Sequence, residues 1–148
     1  MTRHVPRPRR DYPHFLPITT RWADNDAYGH MNNVVYYALF DTVVNEFLIA
    51  RGVLDIAASP AIGLVIETGC RYFTPLAFPD RVEAGLRVAR LGNSSVRYEV
   101  GLFRKDSAEP AAEGHFVHVY VDRETRRPVP LPEAVRHVLQ PLCKEIHP

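Results

Sequence analysis

The residues best suited to chemistry stand together in one stretch, Asp24-Asn25-Asp26-Ala27-Tyr28-Gly29-His30-Met31-Asn32-Asn33. A carboxylate or an imidazole can attack an acyl carbon or take a proton from water, and a fixed amide can donate to the oxygen anion that forms. The stretch leads directly into an apolar, periodic segment, so its last residues are expected at a helix N-terminus. Unpaired amides and the positive end of the helix dipole would meet such an anion there. Hydrolysis of a thioester needs an attacking or water-activating group and donors on the carbonyl oxygen, and one turn can supply both. The same residue types are also common in turns and caps. Asp-x-Asp-x-x-Gly further matches half of a calcium loop, but the twelfth position from Asp24, where the EF-hand needs Glu, is Val35.

Positioning these groups falls to the flanking elements. Residues 14–23 read as a first strand, with Phe15, Leu16, Ile18, Thr19, Thr20 and Trp22 supplying β-branched and aromatic side chains. Over 32–51, Val35, Leu39, Val43, Phe47 and Ala50 recur at spacings of three and four, with Val34, Ala38 and Leu48 on the flanks, which predicts one long, mostly buried helix. Asn32 or Asn33 can cap its start and Gly52 stands at its end. Residues 62–73, 80–91, 94–104 and 112–122 read as four strands. In the third of these, Val96, Tyr98, Val100 and Leu102 alternate with Arg97, Glu99, Gly101 and Phe103, so one face is expected inside. Gly92-Asn93 and 106–110 suit hairpin turns, and 132–139 a short final helix. The fold class this predicts is α+β: five mostly antiparallel strands curled around one long central helix, with sheet edges that a second copy would cover.

Composition bounds the rest. The 148 residues, 46% of them hydrophobic, suit one domain. The balance of 18 basic to 17 acidic residues leaves no electrostatic footprint for nucleic acid or an anionic membrane. Cys70 and Cys143 are too few and too distant for a disulfide framework, which fits a reducing cytosol, and Cys70 reads as a small core residue. Residues 1–13 carry four arginines and two prolines before Asp11 and read as a flexible, solvated arm, not a secretory signal. The domain is expected over 14–140, with a tail over 141–148. A soluble, cytoplasmic protein is expected, since no run approaches the roughly 20 apolar residues of a membrane span.

Asp26-x-x-Gly29-His30-x-Asn32-Asn33-x-x-Tyr36 before a long helix resembles the signature of the hotdog thioesterases related to 4-hydroxybenzoyl-CoA thioesterase, which include fatty acyl-CoA and acyl-carrier-protein members. Arg71-Tyr72-Phe73-Thr74-Pro75 with Phe78-Pro79-Asp80, and Leu91-Gly92-Asn93-Ser94-Ser95-Val96, extend the resemblance over roughly residues 15–122. It implies that Asp26 is nucleophile or general base and that the first-turn amides near Asn32 and Asn33 polarise the thioester carbonyl. It also implies that Gly29 lets the backbone come close, and that the site lies at a homodimer interface facing the partner's strands, in a dimer or a dimer of dimers. Acyl-CoA, or the same acyl group on a carrier protein, is the implied substrate, with no separate cofactor and no metal.

Two departures are visible. Some relatives place a histidine where this chain has Asn33; its own histidine, His30, comes earlier. Others carry a basic run at the turn that here reads Gly92-Asn93-Ser94-Ser95, so either the nucleotide phosphates fall to Arg90, Arg97 or Arg104, or the carrier is not free CoA. Tyr28, Met31, Tyr72 and Phe73 are candidates for the acyl pocket, which suggests an apolar or aromatic acid; Tyr36, Tyr37 and Asp41 could join them from the helix, with core or interface packing as the alternative role for the two tyrosines. Glu67, in Leu64-Val65-Ile66-Glu67, reads either as a tuned base or as an outward-facing edge residue. His115 and His118 fall on opposite faces of a strand, which argues against a shared metal. Two competitors remain: a hotdog hydroxyacyl-CoA dehydratase or hydratase working through His30, and a module that binds acyl thioesters without turnover.

Overall fold

The computed structural model describes residues 4–143. Five strands, β1 (His14–Thr19), β2 (Ala61–Tyr72), β3 (Arg81–Leu91), β4 (Ser95–Arg104) and β5 (Ala112–Asp122), form one antiparallel, curled sheet in the order β1-β3-β4-β5-β2. The main helix, α1 (Asn33–Ala50), has 18 residues, or about 27 Å of axis. A short α2 (Glu133–Leu139) closes the chain order. Among the described residues, no helix is long and apolar enough to cross a membrane.

β1 ends earlier than the composition of 14–23 suggests. After Thr20 the chain bends into a single 3-10 turn, Trp22–Asp24, because the Asp24 carboxylate captures the Arg21 amide and stops the ladder. The alternation in β4 holds: Val96, Tyr98, Val100 and Leu102 are all in the core, while Arg97 and Glu99 lie on the other face. In α1 the buried stripe is Tyr36, Phe40, Val43, Val44, Phe47 and Leu48, so Val34, Ala38 and Ala50, expected at or beside it, are exposed. The helix is apolar on nearly every side, and its period alone underdetermines the inward face. Packing selects it: a Cβ on Gly114 of β5 would come within 2.2 Å of the Phe40 ring, so the missing side chain is what lets the helix approach the sheet.

One core cluster runs from Met31 to Leu142. Leu142, in the turn after α2, is buried, so the packed unit passes the expected limit at 140; the rest of the expected tail, 144–148, lies outside the described residues. Residues 4–13, expected as a loose arm, lie along the outer face of the sheet, and Tyr12 is buried there. Cys70 is half-buried against the core and Cys143 is exposed, both as free thiols.

His115 and His118 do occupy opposite faces. His115 meets Glu67 outside, whereas His118 is buried against Tyr98 and Phe116. Burial lowers the His118 pKa from 6.5 to about 4. The folded pKa is below the unfolded one, so the unfolded chain takes up the proton first and stability falls as pH drops from about 6.5 towards 4. Between pH 7.5 and 5 this group should cost about 2 kcal/mol of stability. Urea unfolding of wild type and His118→Leu at both pH values measures it; an equal pH slope in the two proteins would remove His118 as the source.

Candidate active site

The turn between β1 and α1 is built around Asp24. Its Oδ2 accepts the Arg21 amide at 2.7 Å and its Oδ1 accepts the Arg21 guanidinium at 2.9 and 3.1 Å, and the residue is only 4% exposed. The Asp24 carbonyl then accepts the Asn32 amide at 2.9 Å, and the Met31 amide donates to the Leu76 carbonyl at 2.7 Å. Both ends of the motif are thereby tied down, and the loop between them reverses at Gly29, whose φ of +79° is costly for residues with a side chain. The reversal brings the Asp26 amide to the His30 carbonyl at 2.8 Å.

Asp26 is held without being buried. Its Oδ1 accepts the amides of Tyr28 (2.8 Å) and His30 (3.3 Å), while Oδ2 has no donor among the described residues. Asp26 lines a cavity of about 310 Å3 together with His30, Met31, Asn33, Tyr36, Tyr72, Phe73, Thr74 and Pro75. At the start of α1, Asn32 is the cap: its Oδ1 accepts the Val34 amide at 3.0 Å and its carbonyl accepts the Val35 amide at 2.9 Å. The Asn33 amide is used by neither contact, and Asn33 stands on the cavity wall.

The rest of the lining is largely aromatic. Tyr36, buried, meets Tyr72 edge-on with ring centroids 4.9 Å apart, and burial raises the Tyr36 hydroxyl above the usual tyrosine pKa, so it stays neutral at physiological pH. Phe73 and Thr74 are set by their amides, which both donate to the Ala111 carbonyl, at 2.9 and 3.1 Å. Thr74 and Pro75 were not singled out from sequence as site residues; the signal was their place in the block from Arg71 to Pro75.

Other candidates lie apart from this cavity in the single chain. Tyr28 is 86% exposed, and neither it nor Tyr37 nor Asp41 lines the wall. Glu67 is exposed on β2 and pairs with His115 (3.0 Å) and Arg97 (3.4 Å), the outward-facing alternative. Arg90 sits directly opposite Arg97 across β3 and β4. The Ser94 and Ser95 carbonyls accept the Tyr120 and Gly92 amides, so this turn is engaged in joining strands. Arg104 is bound to Asp80 at 3.3 Å and to the Pro75 carbonyl. A larger hollow of about 470 Å3 between β1 and β3 is lined by Phe78, Pro79 and Asp80 but by no residue of the 24–33 stretch.

Solved structures share this architecture. The PA5185 protein of Pseudomonas aeruginosa is 55% identical over 97% of this chain and 100% of its own, with a TM-score of 0.93. A second protein of that organism, PA2801, described as a candidate thioesterase, is 28% identical over 85% of this chain and 97% of its own, with a TM-score of 0.79. Slr0204, a 1,4-dihydroxy-2-naphthoyl-CoA thioesterase from Synechocystis, is 16% identical and shares the fold, with a TM-score of 0.77 over 84% of this chain and 93% of its own. The family model of the thioesterase-like superfamily matches residues 20–139, from the turn that carries Asp26 to the end of α2. Motif, strand order and matched length converge, and the chain belongs to the thioesterase-like superfamily, within the hotdog thioesterases.

Proposed function

We propose that this chain hydrolyses an acyl thioester: water adds to the acyl carbon, the carbon–sulfur bond breaks, and a carboxylic acid and a thiol leave. The observation that carries this reading is that the Asp26 carboxylate and the first turn of α1 at Asn33 share one cavity wall. Asp26, with Oδ1 fixed and Oδ2 open, attacks the carbonyl or takes a proton from the attacking water. The Asn33 amide donates to the oxygen as it becomes an anion. Gly29 supports both by allowing the reversal that aims Asp26. The chemistry calls for no redox or metal cofactor, because the leaving thiolate is a good leaving group.

The substrate in this reading is an acyl-CoA, or the acyl group on a carrier protein, with an aromatic or apolar acid. Met31, Tyr36, Tyr72 and Phe73 supply the wall for it, and the Synechocystis relative acts on an aromatic acyl-CoA. A homodimer completes the site. β2 is an edge strand with exposed Leu64, Val65 and Ile66, the last 63% exposed, and it ends at Tyr72 in the cavity. Pairing through this edge would bring a second copy's strands, with Glu67, Arg90, Ser94 and Ser95, towards Asp26, while α1 serves as the central helix of each subunit. The setting proposed is the cytoplasm, where acyl-CoAs are made.

Hydration of a carbon–carbon double bond is the weaker reading. It needs an imidazole acting with a carboxylate, and here His30 meets Asp26 through its backbone amide, its ring making no hydrogen bond among the described residues. A thiol-release screen over short, long and aromatic acyl-CoAs, with enoyl-CoA hydration measured alongside, is expected to give thiol release and no hydration. Hydration without thiol release would reverse the assignment, and tight acyl-CoA binding with neither reaction would make the chain a binding module.

A further inference from the structure

The structure assigns a role to the N-terminal segment that its composition does not suggest: we infer that residues 4–11 form a strap whose tip, His4, is a positioning residue for the Phe73 wall of the acyl pocket. This inference rests on the proposed reading of the cavity as the acyl-thioester site.

The strap crosses the outer face of the sheet from β3 to β5, with one anchor on each strand. At β3, Arg9 pairs with Glu83 at 2.9 Å and lies over the rings of Phe15 and Phe103, 5.1 and 4.9 Å from their centroids. At β4, Arg7 pairs with Glu99 at 3.1 Å. At β5, the two oxygens of Glu113 are divided between the strap's residues: Oε1 meets His4 Nε2 at 2.7 Å and Oε2 accepts the Arg7 amide. Beyond Arg9 the chain is pinned by Tyr12, whose ring covers Gly85 and Gly101, a directly paired couple on β3 and β4. Two arginine–carboxylate ion pairs, the His4–Glu113 hydrogen bond, hydrogen bonds from the Arg7 and Arg9 amides and two cation–ring contacts on a segment this short oppose the mobility expected of a terminus.

His4, so placed, lies parallel to Phe73, with ring centroids 6.2 Å apart and planes within 9°. Phe73 follows the last residue of β2. Tyr72 before it turns inward to Tyr36, so the alternation of an extended chain sends the Phe73 ring towards the strap side, where the core cannot hold it. Its backbone is fixed by the Ala111 carbonyl, but its ring takes its described aromatic contact from His4. The strap's anchors, His4, Arg7 and Arg9, bond to Glu113, Glu99 and Glu83 and not to Asp26 or the first turn of α1. Loss of His4 should therefore loosen the wall that receives the acyl group and leave the reacting groups in place.

The test compares wild type, His4→Ala and His4→Phe in steady-state thiol release on the best acyl-CoA found in the screen, with amide hydrogen exchange over residues 72–75. His4→Ala is expected to raise KM about three- to tenfold, the size of one lost ring contact, with kcat held within about twofold. Exchange at Phe73 and Thr74 should speed up. His4→Phe, which keeps a ring to stack, should recover most of the KM. A KM unchanged in His4→Ala, a fall in kcat with KM kept, or exchange at 72–75 equal to wild type would each overturn the inference. Absence of thiol release from wild type on every acyl-CoA would instead sink the proposed function; the exchange comparison would still decide whether His4 positions Phe73.

Discussion

Asp26→Asn is expected to lower kcat for thioester hydrolysis by about a thousandfold, roughly 4 kcal/mol of transition-state stabilisation, and to leave the fold intact. The carboxamide oxygen can still accept the Tyr28 and His30 amides that hold Oδ1, so the loop has no reason to move. What disappears is the negative charge, and with it both the nucleophile and the base. The neighbouring carboxylate cannot take over, because Asp24 is buried and saturated by Arg21. Thiol release on the best acyl-CoA, together with thermal unfolding, reads both parts. Turnover within tenfold of wild type would remove Asp26 from the mechanism.

Asn33→Pro is the second large effect, expected at about a hundred- to thousandfold in kcat, the usual cost of one oxyanion donor. Proline removes the amide hydrogen and nothing else the helix needs, because Asn33 is the first helical residue, where proline is well accepted. The residue before it, Asn32, already has φ −65° and ψ 143°, the extended conformation that a following proline demands. Asn33→Ala is the partner experiment: it deletes the carboxamide and keeps the amide. If the amide polarises the thioester, the alanine variant should stay within about tenfold of wild type while the proline variant falls far below it. Equal turnover in the two variants would mean that the first-turn amide is not the donor.

What a local stretch of residues dictates depends on the range of the forces involved. The elements were legible because their signals are local: alternation in β4, a cap at Asn32 or Asn33, and the turn at Gly92-Asn93 each depend on neighbours a few positions away. The motif announced itself for the same reason, since a carboxylate loop running into a helix N-terminus is a contiguous object. Which of its two carboxylates carries the chemistry was legible only through the family resemblance, which matches Asp26. Asp24 and Asp26 have similar sequence surroundings, and only the fold-back of Arg21 locks the first and leaves the second open.

The N-terminal arm shows the other limit. Its arginines and prolines predict solvation when read alone, yet His4, Arg7 and Arg9 find partners in Glu83, Glu99 and Glu113, up to 109 residues away in sequence. Only the folded sheet brings those carboxylates into a row that the arm can cross. Likewise, the apolar run of α1 determined that a helix would be buried but not which side, and the close approach of Phe40 to Gly114 decided it. The sequence by itself thus determined the kind of elements, their order and the loop where chemistry can occur, because periodicity and capping act within a few residues. The tertiary structure alone decided how Asp24 is locked while Asp26 stays open, that Tyr28 stands apart from the wall that Tyr36, Tyr72 and Phe73 form, and what holds those rings, because these outcomes depend on packing between segments that the chain keeps far apart.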